Sequence, residues 1–152
     1  MRRTITPLCM LVLAISASIA FAEDAIFAKT KITVLEGEDT KEHDARVVFS
    51  EGRRLVVEDR KGKDRPWTLD IAFDQIQEIT YERSTHPRAK TAIFISILAL
   101  LSKSKKHWLT VTYDNSGQTD FVILRLDKSE YQRMVAVAET RTGLKVERIT
   151  EE

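Results

Sequence analysis

The side chains that could move a proton or hold a metal are three histidines, His43, His86 and His107, and 23 Asp/Glu. General acid–base work needs two such groups in a desolvated pocket, and a metal needs three or four converging ligands. The histidines lie far apart in sequence, and the carboxylates are spread over alternating polar positions. No Gly-rich phosphate loop, His-Glu-x-x-His or Gly-x-Ser-x-Gly occurs. Cys9 is the lone thiol, in the N-terminal segment. The reading is therefore a non-enzymatic protein without cofactor or metal, with an enzyme as the distant alternative.

The chemistry that does concentrate is charge beside grease. Residues 83–113 hold six Lys/Arg and no Asp/Glu. Within them lies the apolar run 92–101, flanked by Arg88 and Lys90 on one side and by Lys103, Lys105 and Lys106 on the other. Its seven large side chains include Ile93, Phe94, Ile97, Leu98 and Leu101. At ~1.5–3 kcal/mol each, their burial is on the order of 10–20 kcal/mol. That matches the ~5–15 kcal/mol net stability of a whole domain. Such a run does not sit in water. It is covered by the domain's own core, by another protein or a second copy of this one, or by a membrane. Ten helical residues are ~15 Å long, half the ~30 Å hydrocarbon layer, so the run can dip into a bilayer but not cross it. Basic flanks add ~1 kcal/mol each near anionic lipid.

The N-terminus bounds the compartment. Arg2 and Arg3 precede an apolar stretch over residues 8–20, and Ala20-Phe21-Ala22 places small residues where a signal peptidase reads. Residues 1–22 are expected to be a signal peptide cleaved after Ala22, an uncleaved anchor being the alternative. The expectation is an exported protein, periplasmic or extracellular. Residues 23–152 contain no cysteine, so their stability rests on a buried core. The overall charge is +1, which argues against a nucleic-acid partner. After residue 22 the net charge is −1. The segment 83–113 carries +6 of it, leaving −7 elsewhere.

The elements that must position this segment are short strands. Residues 29–35 alternate, 36–44 read as a polar loop holding a solvated His43, and 46–49 and 54–58 form a hairpin about Gly52, able to take positive φ. Pro66 opens a strand over 67–71; a jog at 73–76 leads to another over 77–83. Residues 107–113 and 119–126 pair about Asp114-Asn115-Ser116-Gly117. A helix comes next, with an Asp127/Glu130 capping box, an apolar face from Tyr131 to Ala138, Arg141 in its last turn and Gly143 closing it. The expected fold is mainly β with one C-terminal helix: an antiparallel barrel or orthogonal sheets of about six or seven strands capped by the helix.

Four segments carry a resemblance: 67–71, Phe73-Asp74-Gln75-Ile76-Gln77-Glu78-Ile79, 107–113 and Asp127-Lys128-Ser129-Glu130-Tyr131. In this order the chain resembles the pleckstrin-homology-like superfold, including bacterial PH-like and GRAM-like modules. The resemblance implies a domain over residues 45–143 with an apolar/basic insertion at 84–106. It leaves 23–44 as a leader with an extra strand and 144–152 as a tail. It also implies a module that binds lipid headgroups, peptides or proteins. The headgroup loop of such domains lies between the first strands, where this chain offers only Gly52-Arg53-Arg54. The expectation is contact with a membrane surface or partner protein through residues 88–106, the named residues being Arg88, Lys90, Ile93, Phe94, Ile97, Leu98, Leu101, Lys103, Lys105 and Lys106. Self-association is the competing reading.

Overall fold

The structure, a computed structural model, describes residues 23–36, 39–60, 67–85 and 104–149. Eight strands form one mixed sheet: β1 (Ala25–Glu36), β2 (Asp39–Phe49), β3 (Arg54–Asp59), β4 (Thr68–Ala72), β5 (Ile76–Ser84), β6 (Lys106–Asn115), β7 (Gln118–Leu126) and β8 (Glu147–Ile149). A 3-10 turn, Phe73–Gln75, separates β4 from β5, and helix α1 (Tyr131–Thr142) follows β7. The spatial order is β4-β3-β2-β1-β7-β6-β5-β8.

This corrects the expected architecture. Six or seven antiparallel strands in a barrel or orthogonal sheets are replaced by eight in a single open sheet, with β4 and β8 as its edges. β8 runs parallel to β5, pairing Thr80 with Glu147 and Glu82 with Ile149. Two chain segments read as irregular are strands. β1 begins at Ala25 in the expected leader, and β2 begins at Asp39 in the expected loop. The stretch around Lys41–Asp44 has no apolar alternation, so hydropathy cannot mark it. Its strand is imposed from outside, by the β1 ladder that sets Ile32 opposite His43 and by a 2.9 Å ion pair from Lys31 to Asp44.

The two halves, β1–β4 and β5–β7, are antiparallel meanders. They join through only two residue pairs, Lys31 with Arg125 and Ile32 with Leu124. Flat, four strand spacings would put β2 and β5 ~19 Å apart, beyond the ~10–12 Å width of one helix. Yet α1 touches both, so the sheet curls around the helix. Met134, Val135 and Ala138 of α1 are buried there with Phe27, Phe49, Leu55, Ile79, Leu109 and Leu124. Phe27 and Phe49 meet edge to face, with centroids 6.2 Å apart, and the Arg133 guanidinium lies 4.7 Å from the Phe27 ring centre.

The helix ends as expected and starts differently. Gly143 closes it in the left-handed region at φ 75°, its N–H donating to the Glu139 carbonyl over 3.0 Å. Glu130, not Asp127, occupies the N-cap position, without a side-chain cap. The Asp127 carboxylate instead accepts from the Ser129 N–H at 2.8 Å, a turn that competes with the cap.

A candidate anion-binding basin

The expected contact segment falls mostly on residues 86–103, so Arg88, Lys90, Ile93, Phe94, Ile97, Leu98, Leu101 and Lys103 lie outside the described residues. Lys105 and Lys106 are described, and the fold places them in a basin of about 300 Å³. The end of β5 contributes Arg83, the residue before β6 Lys105, the start of β6 Lys106 and His107, and the end of β7 Arg125 and Leu126. Asp127 and Lys128 come from the turn into α1. Strand register assembles it: Arg83 lies opposite His107, Ser84 opposite Lys106, His107 opposite Leu126 and Trp108 opposite Arg125.

Five Lys/Arg thus face one carboxylate. Asp127 is already engaged by the Ser129 hydroxyl and N–H, which hold its pKa below the usual range. Arg125 spends part of its charge on Glu42, 3.0 Å away. Arg83, Lys106 and Lys128 have no ion-pair partner among the described residues.

His107 forms the buried wall of the basin. Its ring stacks on Tyr131 with centroids 3.8 Å apart, and its Nδ1 lies 2.6 Å from the Tyr81 hydroxyl. Burial, then Arg83 and Lys128, push the imidazole pKa below 6.5. Burial, then Tyr131, push the Tyr81 phenol up. A neutral ring therefore meets a protonated phenol, and the phenol is the better donor of the two. With the Tyr81 hydroxyl as donor to Nδ1, the imidazole proton would sit on Nε2.

On the outer face of the same strands, the Trp108 Nε1–H donates to the Ser84 carbonyl over 3.1 Å, and the Ser84 hydroxyl donates to Glu82 over 2.8 Å. Trp108 and Ile123 are 1% and 2% exposed there, away from Leu109 and Leu124 on the core side. A second depression, of about 370 Å³, is apolar and lined by Ile32, Val34, Trp67, Leu69, Tyr113 and Phe121 among others. Among the described residues no group of three or more His, Cys, Asp or Glu is placed to hold a metal. No described helix is long and apolar enough to cross a membrane.

Arg125 and Lys128 are members that sequence reasoning missed, because they stand alone in a mixed stretch. A signal was present: counting outward equally from the Ser116-Gly117 turn puts Arg125 opposite Trp108.

No protein-family model matches the chain, and no curated protein does. Solved structures do match in fold. The hSac2 domain from human phosphoinositide phosphatase Sac2 superposes with a TM-score of 0.57 at 11% identity, over 86% of this chain and 80% of that one. A chain of the Spt16D Pob3N heterodimer superposes with a TM-score of 0.53 at 11% identity, over 86% of this chain. This protein spans 56% of that chain's length. Both are PH-like folds, so the class of fold is PH-like.

Proposed function

We propose that this chain is an exported, non-enzymatic binding module that contacts an anionic membrane surface through its apolar/basic segment 88–106. The observation that supports this most is the basin. It sets Lys105 and Lys106 beside Arg83, Arg125 and Lys128, so positive charge from three strands and a turn meets at one end of the sheet. Anionic lipid would be held by those cations, and the apolar run between Lys90 and Lys103 would enter the bilayer beside them.

A second reading has its own support. Trp108 and Ile123 are buried on the sheet face away from the core. An apolar run seated on that face, from this chain or a second copy, would be core or interface rather than a membrane anchor.

The test uses the chain from residue 23 with Ile97 and Leu98 both changed to Asp. Loss of folding assigns the run to the core. If the variant stays folded, wild type should sediment with anionic vesicles at low salt, and both high salt and the double change should release it. No sedimentation of wild type at any salt sinks the membrane reading.

A further inference from the structure

The basin differs from a flat basic patch in two ways. It is concave, with a volume near the bottom of the ~300–1,000 Å³ range of small-molecule clefts. It also has a buried wall, His107, whose Nδ1 is paired with the Tyr81 hydroxyl.

We propose that Arg83, Lys106, Arg125 and Lys128, which line one basin with His107, form a site for a phosphate monoester. This deepens the binding reading above and rests on the same basin. It lies at the β5–β6 and β7–α1 end of the sheet, not at the Gly52-Arg53-Arg54 hairpin between the first strands.

The chemistry selects the ligand. A monoester carries ≈ −1.5 to −2 at neutral pH and has three terminal acceptor oxygens. It can meet several cations at once, and a guanidinium can grip it through two parallel N–H donors. A phosphodiester has a single charge and two free oxygens, so it would leave most of this cluster's mutual repulsion in place. Arg83 and Lys128 lie close enough to His107 for both to disfavour a proton on it. Asp127, held ionised by Ser129, offsets only one of the five positive charges.

The two sources of a monoester, a lipid headgroup and a free phosphate, are separated by experiment. The full chain is titrated with inorganic phosphate while the His107 ring resonances are followed. In parallel it is sedimented with phosphatidylcholine vesicles containing either phosphatidic acid, a monoester, or phosphatidylglycerol, a diester, at matched surface charge. The expected result is saturable phosphate binding, preference for phosphatidic acid, and competition between the two. Arg83→Gln and Lys128→Gln should each weaken binding roughly tenfold, the loss of one charge-assisted contact. Arg83→Lys should recover part of it, and circular dichroism should show all three folded. Phosphate binding without vesicle association upholds the site for a soluble monoester and removes the membrane reading. Equal sedimentation with both lipids, unaffected by phosphate, overturns the site and leaves the membrane reading standing. No binding in either arm removes both.

Discussion

The Tyr81 hydroxyl reaches His107 Nδ1 across 2.6 Å, although the residues are 26 apart in sequence. Arg83 lies directly opposite His107 in the β5–β6 ladder, which makes Tyr81 its diagonal neighbour on the same face. Tyr131 from α1 stacks on His107 at 3.8 Å and lies 5.7 Å from Tyr81. One histidine thus ties the two strands to the helix.

That arrangement predicts a pH dependence. In the fold His107 titrates below 6.5, through burial first and then Arg83 and Lys128. Between the folded pKa and the unfolded one, the unfolded chain binds more protons. The contribution to stability is therefore complete above the unfolded value and is lost as pH falls through that window toward the folded pKa. His107→Phe keeps a ring in the stack but cannot titrate. It should lose less stability than wild type when urea unfolding is moved from about pH 7 to about pH 5. Equal losses would show that His107 is not the group responsible.

Trp108 predicts a graded cost. Its indole is buried and its Nε1–H donates to the Ser84 carbonyl. Trp108→Phe keeps most of the packing and removes that hydrogen bond, for about 0.5–1.5 kcal/mol. Trp108→Ala also opens a cavity, for about 3–5 kcal/mol. Denaturant midpoints of the two variants should separate in that order.

The β2–β3 turn predicts an exchange of roles. Arg53, not Gly52, holds positive φ, at 57°. A Cβ on Gly52 would meet only the Ser50 hydroxyl oxygen, at 3.6 Å. Gly52→Ala should lie within about 0.5 kcal/mol of wild type, and Arg53→Gly should stabilise by up to about 1 kcal/mol. Gly143→Ala, at φ 75°, should cost about 1 kcal/mol. Thermal or urea unfolding reads all three, and a destabilised Arg53→Gly would show that its side chain supports the turn.

His43 predicts a structural effect where a solvated loop residue would give none. It sits in β2, and its Nδ1 is 2.9 Å from the Asp59 carboxylate, whose side chain is 2% exposed. His43→Ala removes one partner of a buried carboxylate and should cost about 1–3 kcal/mol. A change below about 0.5 kcal/mol, the range of ordinary surface substitutions, would return His43 to the surface.

Local pattern in the sequence was enough for the elements that bury one face against one core. Leu109, Val111 and Tyr113 alternate on β6, and Val122, Leu124 and Leu126 alternate on β7. Met134, Val135 and Ala138 recur on α1, and Gly143 and Gly117 mark its end and the hairpin turn. Burial of an apolar stripe at period 2 or 3.6 is written in consecutive residues. The order of β6, β7 and α1 followed from it.

Tertiary structure decided the rest, because the causes lie in residues distant along the chain. Lys41–Asp44 is a strand because β1 pairs with it, and Glu147–Ile149 is a strand because the edge of β5 is open to it. Neither segment has an apolar rhythm of its own. The sheet stays open because β8 pairs with β5 at one edge and β4 ends the other. The basin obeys the same rule. Lys105 and Lys106 were visible as a local cluster, but Arg83, Arg125 and Lys128 join them only when β5, β6 and β7 come into register. Sequence composition determined that positive charge is concentrated in this chain; cross-strand pairing determined where it meets.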